Sequence, residues 1–531
     1  MLGEKVSKVN IVPETHLKQI NTINMSKRLN EDTATNGLPR PADREKPAPA
    51  YDEADQFEDE FEDEFESEDE IMVAGEDGRP DEEVEAEAAE TAMQVDSNNQ
   101  TFMVGRNKLS KDEILEPDET AYEMLHRLEP PWPCLSFDII RDHLGEGRAR
   151  KRYPATVYSV AGTQAARGHE KENELLVMKM SKLSRNARDE EDDSSSDDSE
   201  SDEDEDADPI LETKKIRLDT VTNRIRAYQT QSDPSRPFAT TLTASMAESG
   251  AVLIHDITSH LTSFDTPGTT ITPQQNQPIH TIRAHKSNEG YALDWQKPAS
   301  SSSTTNSTAQ TPSLLTGDTA GHIYHTTSTP SGSFTTSSSF QGHTSSVEEL
   351  QWSPSEPFVF ASASADSTIR IWDTRSKRRT PAISVTASET DVNVLSWSHL
   401  TPYLLASGDD SGRLSIWDLR AWQRTPKQTT HTPIADFAFH KEQITSVEWH
   451  PTDDSIVSVC AGDDTLTLWD LAVELDDEES KDTAGVEGVP PQLLFVHYME
   501  GVKESHWHGQ MDGVVMATGA SGWNVFRTIS V

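Results

Sequence analysis

Three segments of this 531-residue chain each carry two tryptophans separated by the same twenty positions. The pairs are Trp352 and Trp372, Trp397 and Trp417, and Trp449 and Trp469, and an aspartate follows the second tryptophan each time. Measured between those aspartates, the period is 45 residues from Asp373 to Asp418 and 52 from Asp418 to Asp470. Repeats of this length are single supersecondary units that bury their apolar faces only by stacking on one another.

The first copy indicates three short strands joined by turns. Val347 to Trp352 and Phe358 to Ser362 flank residues 353–357, whose Pro and Ser favour a turn. Ser367 to Trp372 alternates apolar and polar residues, which is the period of a half-buried strand. With a fourth strand and loops of variable length, this unit is typical of one blade of a WD-repeat β-propeller.

Polar residues recur at fixed places in these copies. They are His343 and His440, nine residues before the first tryptophan, and Asp366 and Asp463, six residues before the second. In WD-repeat proteins such side chains resemble a buried hydrogen-bonded set, so we expect one here. In the middle copy Ser388 takes the histidine's place and Asp410 lies one residue early, which leaves its polar network open.

Weaker copies bring the predicted number of blades to seven. They cover Pro154 to Ser181, Asn223 to Thr258, His285 to the region of Tyr324, and Val502 to Val531, in which Trp507 and Phe526 are nineteen residues apart. An alternating strand around Leu135 precedes the first copy and is spare. We expect it to complete the last blade beside residue 525, because ring closure removes exposed sheet edges.

The sequence thus predicts an all-β fold: a seven-bladed WD-repeat β-propeller over residues 132–531, preceded by one N-terminal α-helix with a linker at 118–131. Asp118 can cap that helix, and acidic residues in its first turn suit the helix dipole. Tyr122, Leu125 and Leu128 would line one helix face. Residues 1–117 are expected to form a disordered acidic region, with disordered insertions at 184–210 and 298–312.

The composition supports a partly unfolded, acidic chain. Only 34% of residues are hydrophobic, and the formal net charge is −46. This charge argues against direct sequence-specific binding to nucleic acid, whose phosphates require Lys and Arg, and favours basic partners. The acids at 52–70 are interpreted as a shield for a basic client or, alternatively, as a solvated tail. The shielding residues would include Glu58, Asp59, Glu60, Glu62, Asp63 and Glu64.

A second acidic run, at 189–208, interleaves serines with carboxylates. Ser194, Ser195, Ser196, Ser199 and Ser201 are candidate phosphorylation sites for acid-directed kinases, and phosphate would deepen the negative field. The basic clusters Arg148 to Arg152 and Lys377 to Arg379 are candidate nuclear import signals, with solvated loops as the alternative.

Other classes of protein lack support in the sequence. No apolar run is long enough for a membrane span, so no membrane partner is predicted. Cys134 and Cys460 lie in predicted strands without ligand spacing, and we expect buried small residues and no metal or cofactor. No nucleophile–base pattern or phosphate-binding glycine loop is present, so the chain is not expected to be an enzyme.

Several segments outside the repeats are distinctive. They are WPCLSFDII, YSVAGTQA, SVEELQWSP, ADSTIRIWDTR, TSVEWHP and the terminal FRTISV. With the acidic insertion they resemble the glutamate-rich WD-repeat proteins, also called regulators of ribosome biogenesis, over roughly residues 100–531. More distantly, the chain is similar to the retinoblastoma-associated histone-binding proteins.

The resemblance implies an assembly chaperone in the nucleus and nucleolus, with shuttling to the cytoplasm left open. Its client would be a newly made basic protein of the large ribosomal subunit, the third protein of that subunit, delivered to pre-ribosomal particles. In the histone-binding relatives, a helix and a loop form one groove. Carried over, that groove would use Tyr122, Leu125 and Leu128 with Asp476, Asp477, Glu478, Glu479, Pro490 and Pro491. The alternative is that the helix only packs on the last blade and the loop is solvated.

Two alternative functions stay open. The first is a histone-binding chaperone or chromatin-associated factor, because an acidic groove also accepts a histone helix. The second is a substrate receptor of a cullin-RING ubiquitin ligase. That hypothesis depends on the Trp-Asp-x-Arg sequences at 372–375 and 417–420, in which Arg375 and Arg420 would dock the ligase adaptor.

Overall fold

The computed structural model describes residues 5–9, 113–186, 208–230, 238–297, 311–329, 331–424, 429–473 and 489–531. Most of the predicted acidic region and most of both predicted insertions lie outside these residues. Two short strands were not predicted: β1 (Lys5–Val9) pairs in parallel with β2 (Glu113–Pro117). The remaining strands form seven sheets of four strands each. The predicted seven-bladed propeller is therefore confirmed.

The blades follow one another in chain order after β3 (Tyr122–Leu128). The first contains β4 (Cys134–Ile140), β5 (Ala155–Thr163), β6 (Glu174–Leu183) and β7 (Ile210–Arg217). The second contains β8 (Thr222–Gln229), β9 (Thr241–Ala247), β10 (Val252–Asp256) and β11 (His280–Ile282). The third contains β12 (Ala292–Trp295), β13 (Ser313–Gly317), β14 (Ile323–Ser328) and β15 (Phe334–Thr336).

The three repeats that led the sequence analysis form the fourth to sixth blades. The fourth contains β16 (Val347–Trp352), β17 (Val359–Ser364), β18 (Thr368–Asp373) and β19 (Ile383–Thr386). The fifth contains β20 (Val392–Trp397), β21 (Leu404–Asp409), β22 (Leu414–Asp418) and β23 (Ala435–Phe437). The sixth contains β24 (Ile444–Trp449), β25 (Ile456–Ala461), β26 (Thr465–Asp470) and β27 (Leu493–Tyr498). The seventh contains β28 (Glu504–Trp507), β29 (Val514–Gly519), β30 (Gly522–Thr528) and β3.

The first strands of neighbouring blades contact one another around the whole ring, including β28 with β4. These seven strands therefore line the centre of the propeller. Apolar clusters fill the spaces between blades; one of them joins Met124 and Trp523 of the seventh blade to Phe137 of the first. Cys134 and Cys460 are both buried in strands, as predicted.

The predicted helix at 118–131 is wrong. Asp118 does cap a turn, since its carboxylate accepts the Thr120 N–H at 3.1 Å, but only a 3₁₀ turn follows, Glu119–Ala121. The chain then extends as β3, which pairs antiparallel with β30. Tyr122 and Met124 are buried at the spacing of a strand, and the open edge of β30 supplies the hydrogen-bonding partners that favour this conformation.

Ring closure follows the expected principle with a different strand. The strand around Leu135 does not complete the last blade; it lies in β4, the first strand of the first blade. Instead β3 closes the seventh blade, and the residue opposite Val525 is His126. The two errors are linked, because a helix at the position of β3 leaves β4 as the nearest strand without a blade.

Short helices connect some strands. The α-helices are α1 (Thr258–Asp265) after β10 and α2 (Leu419–Arg424) after β22, and 3₁₀ turns occur at Gly147–Arg150 and Glu170–Glu172. Across the described part of the chain, no helix combines the length and the apolar character needed to cross a bilayer.

The expected polar set is present in the fourth blade. The Trp372 indole N–H donates to Ser362 Oγ at 2.8 Å, and His343 bridges Ser362 at 2.6 Å and Asp366 at 2.9 Å. Burial acts to raise the pKa of Asp366, but hydrogen bonds from His343 and Thr368 outweigh it and hold that pKa well below its usual range. The chain of bonds ties a second-strand hydroxyl to the turns on either side of it.

The fifth blade keeps a shortened set. Ser388 Oγ donates to Asp409 at 2.7 Å, and the Trp417 indole N–H donates to Ser407 at 2.9 Å. The acid is therefore Asp409 and not Asp410, which is exposed. A serine is too short to reach the second-strand hydroxyl as histidine does, so the acid moves to the strand end nearer to it.

Candidate functional site

The predicted groove residues lie in the core of the seventh blade. Tyr122 is 2% exposed and Leu128 is 6% exposed. The Tyr122 hydroxyl is hydrogen-bonded to His497 at 2.7 Å, and its ring packs edge-on against Phe495 at 5.2 Å. Leu125 is half-buried against the same cluster. These side chains hold two blades together and do not present a helix face to a partner.

The loop half of that groove is only partly described. Pro490 and Pro491 are half-buried directly before β27, and the Leu493 N–H donates to the Pro490 carbonyl at 3.0 Å. Asp476, Asp477, Glu478 and Glu479 lie outside the described residues, as do the acids at 58–64 and the serines at 194–201. Because β27 contacts β3 through Tyr122, the segment after this loop does lie beside residues 122–128.

An acidic surface, which the sequence analysis missed, occupies one end of the ring. At this end the turn between the second and third strands bonds to the segment entering the first strand: Asp410 N–H donates to the Asp391 carbonyl at 3.0 Å, and Thr319 N–H to the Glu289 carbonyl at 3.0 Å. We call the carboxylates of this end the acidic rim. Its members are Glu248, Glu289, Glu348, Asp391 and Asp410.

The centre of the acidic rim is the half-buried Tyr291. Burial, followed by the charges of Glu289, Glu348 and Glu248, raises the pKa of Tyr291, so these carboxylates act on one ring. Burial also raises the pKa of Glu348, and the charge of Asp391 adds to that effect. Like charges this close repel one another, and a cationic group placed over the tyrosine would relieve that repulsion.

Charged residues also line the centre of the ring. Glu504 accepts bonds from Arg224 at 2.8 Å and from Arg226 at 2.7 Å, and Arg224 also lies 3.2 Å from Glu349. These ion pairs join the second, fourth and seventh blades. Because burying an ion pair costs much of the energy that the pair returns, we interpret the set as positioning the blades, with little net effect on stability.

A circular series of hydrogen bonds links the first strands. The residue before each tryptophan accepts the backbone N–H of the next blade's tryptophan. The pairs are Asp294 with Trp352 at 2.7 Å, Gln351 with Trp397 at 2.7 Å, Ser396 with Trp449 at 3.2 Å and Glu448 with Trp507 at 2.9 Å. A polar residue directly before each of these tryptophans was the signal in the sequence that would have found them.

His506 occupies the same position in the seventh blade. Its imidazole lies 3.1 Å from Glu448 and 3.6 Å from Glu504. Burial alone would lower its pKa, but the two carboxylates outweigh burial and raise the pKa of His506 to about 10. The imidazole is therefore charged at neutral pH and completes the ion-pair set.

Arg375 and Arg420 have matching geometry at the other end of the ring. Each donates to the aspartate two residues earlier, Asp373 or Asp418, through Nε at 2.9 Å and Nη2 at 2.7 Å. Each guanidinium also stacks on an aromatic ring, Phe358 at 5.0 Å and Tyr403 at 3.7 Å. The two side chains are 62% and 54% exposed, which a docking role requires.

Each candidate import cluster has one arginine used inside the fold. Arg150 forms a buried ion pair with Asp142. Arg379 donates to Ser337 Oγ at 2.8 Å and stacks on Phe340 at 5.0 Å. Lys377 and Arg378 are exposed. Neither cluster thus offers all of its charges to a receptor.

Comparison with known proteins identifies three repeats and one N-terminal region. The family described as "WD domain, G-beta repeat" matches residues 334–373, 379–418 and 431–470. The family of the histone-binding protein RBBP4, which also takes in a component of the CAF1 complex, matches residues 112–184. The second match covers β2 to β6, including the strand that closes the ring.

Three relatives match over most of the chain. The ribosome assembly protein rrb1 of Schizosaccharomyces pombe is 43% identical over 95% of this chain and 100% of its own length. Protein HEAT STRESS TOLERANT DWD 1 of Arabidopsis thaliana is 42% identical over 80% and 91%, respectively. Glutamate-rich WD repeat-containing protein 1 of Dictyostelium discoideum is 40% identical over 80% and 84%. The chain belongs to the family of glutamate-rich WD-repeat proteins that includes the ribosome assembly protein rrb1.

Proposed function

We propose that this protein is a non-enzymatic assembly chaperone in ribosome biogenesis. It binds a newly made basic protein of the large ribosomal subunit, the third protein of that subunit, and delivers it to pre-ribosomal particles in the nucleus and nucleolus. The observation that carries the proposal is the end-to-end likeness to a relative named as a ribosome assembly protein. A propeller by itself implies no function, so the surfaces must also fit.

The acidic rim fits a basic client. Five carboxylates surround or adjoin Tyr291 on one end of the ring, and the net charge of the chain is −46. A Lys- or Arg-rich segment would pair with the carboxylates and place one cationic side chain over the tyrosine. While it is bound there, the segment cannot bind RNA nonspecifically.

The acidic sequence segments extend this proposal. Glu58, Asp59, Glu60, Glu62, Asp63 and Glu64 would add charge around the client, as would Asp476 to Glu479 beside Pro490 and Pro491. Phosphorylation of Ser194, Ser195, Ser196, Ser199 and Ser201 would strengthen the same field. Such purely electrostatic contributions decay over a screening length of about 8 Å at physiological salt, whereas contacts at the rim persist.

The test is co-purification of the full chain from growing cells at moderate salt, with identification of stoichiometric partners. We expect one free large-subunit protein at near-equal amount. The double variant Glu289→Gln with Asp391→Asn should retain it about tenfold less well. Glu356→Gln with Asp512→Asn, at the other end of the ring, should retain it normally. Equal retention by both double variants, or recovery of histones in place of a ribosomal protein, would contradict the proposal.

Histone binding is the second candidate, favoured by the family match over residues 112–184. The rim that fits a basic ribosomal segment also fits a histone tail by charge alone. The same co-purification distinguishes the two clients. Histones recovered in stoichiometric amount with loss at the rim variant would make this candidate the function.

A ligase-adaptor role is the third candidate, favoured by the exposed Arg375 and Arg420 and by the DWD element in the name of the Arabidopsis relative. A pulldown of the adaptor by the full chain should be lost in the Arg375→Ala, Arg420→Ala double variant. Arg413→Ala is the matched control, because Arg413 is 49% exposed and ion-paired to Asp436 in the same blade as Arg420. No capture by the unaltered chain would eliminate this role.

A further inference from the structure

A cleft of about 280 Å³ opens between the fourth and fifth blades, at the end of the ring opposite the acidic rim. Its apolar lining comes from strands of both blades and from α2. The apolar side chains are Val359, Ile371, Ile383, Trp397, Leu419 and Trp422. Ligand sites for small molecules occupy roughly 300–1,000 Å³, so this volume suits a single large side chain better than a free metabolite.

Exposed apolar residues surround the cleft. Phe358 is 47% exposed, Leu400 is 50% exposed and Tyr403 is 40% exposed. All three lie in the turns that follow the first strands of the fourth and fifth blades. Single exposed apolar residues are common, but three beside an apolar cleft form a patch of the kind that marks an interaction surface.

Basic side chains concentrate around the cleft, in contrast to the chain as a whole. Arg420 lines the cleft together with one acid, Glu356, and Arg375 occupies the equivalent place one blade earlier. The turn at 374–379 adds two further exposed basic side chains and no acid. Aspartate binds only the Nε and Nη2 edge of each stacked arginine, and a guanidinium has five N–H donors. The stacked rings hold both guanidinium groups in place, ready to bind a carboxylate.

We propose that this cleft docks an acidic segment of a partner protein, which inserts one large apolar side chain between the blades. Carboxylates flanking that side chain pair with Arg420, Arg375 and the turn at 374–379. The acidic segment is opposite in charge to the basic client, so both can bind one ring at once. The inference is independent of the chaperone proposal. It adds to the ligase-adaptor hypothesis an apolar anchor and a stated charge for the bound segment.

The experiment selects peptides from a random phage-displayed library on the full chain and then sorts them on variants. Arg375→Glu with Arg420→Glu removes the cations, and Phe358→Ser removes an exposed ring. Arg413→Glu and Ile279→Ser are the matched controls, because these residues are 49% and 53% exposed and lie away from the cleft. Circular dichroism of every variant confirms that the fold is retained.

We expect one class of enriched peptides to carry a large apolar residue between acids and to discriminate between variants. In fluorescence anisotropy, such a peptide should bind the arginine double variant and Phe358→Ser at least about tenfold more weakly. It should bind both controls normally. The inference is overturned if no acidic peptide is enriched, if the arginine variant binds those peptides normally, or if replacing their apolar residue by serine leaves affinity unchanged.

Discussion

At the residue scale, one carboxylate carries an unusual share of the contacts between blades. Glu504 is 1% exposed, and it accepts bonds from Arg224, Arg226 and the backbone N–H of Phe137. It therefore joins the seventh blade to the first and the second. Removing its charge would leave two arginines buried without compensation, which costs more than the intact set contributes.

We predict that Glu504→Gln lowers the free energy of unfolding by about 3 kcal/mol, because an unpaired buried charge typically costs about 3–5 kcal/mol and the amide retains one acceptor. Chemical denaturation followed by tryptophan fluorescence measures the change. Glu500→Gln, at an exposed position just before β28, is the control and should be neutral. A loss below about 1 kcal/mol would show that the arginines find other partners.

His506 predicts the pH dependence of stability. Its pKa is about 10 in the folded chain against 6.5 for the ordinary group, so the folded state holds a proton that the unfolded state releases in between. Its contribution is complete below pH 6.5 and is lost as pH rises through 10. In His506→Gln, the decline in denaturation midpoint between about pH 7 and pH 10 should be shallower. An unchanged decline would assign the effect to other groups.

At the element scale, β3 shows how far sequence reasoning reaches. The fourth to sixth blades were predicted because tryptophan, histidine and aspartate mark each turn and strand end. Residues 122–128 carry no such marker, and their apolar residues fit the period of a helix as well as that of a strand. The open edge of β30 decides between them, and an edge that forms roughly 400 positions later is invisible to local pattern.

The same limit applies to the candidate site. The two Trp-Asp-x-Arg arginines were found because they are local in sequence, and both are exposed. The acidic rim was not found, because Glu248, Glu289 and Asp391 come from different blades and only ring closure brings them to one end. The predicted groove failed with the helix on which it depended.

We predict that a chain starting at residue 113 folds, whereas one starting at residue 130 does not remain soluble. The shorter chain lacks β3, so it exposes the edge of β30 and the apolar surface that Tyr122 and Met124 cover. Size-exclusion chromatography and thermal unfolding compare the two. A monomeric, equally stable chain from residue 130 would show that β3 is dispensable for closure.

At the scale of the whole molecule, the ring has no terminal blade. Each first strand has a neighbour on both sides, and hydrogen bonds from Asp294, Gln351, Ser396 and Glu448 run from one blade to the next. An open repeat array frays from its ends, but a closed one must break two interfaces to release any blade. The two ends of this ring also differ in charge, acidic at the rim and richer in basic side chains beside the cleft.

We predict that the first strands β16, β20, β24 and β28 share one opening free energy, to within about 1 kcal/mol. Hydrogen exchange read by mass spectrometry measures it on peptides covering each strand. Exchange that is much faster in one of these strands would identify a blade that opens by itself.

Closure by β3 also sets a timetable for synthesis. Tyr122 emerges from the ribosome early, but its partner Thr528 is translated roughly 400 residues later. At about 5–20 residues per second, that interval is roughly 20–80 s. During it the nascent chain carries an unpaired apolar strand at one end and a growing stack of blades at the other. A protein proposed to guard new chains therefore needs guarding during its own translation.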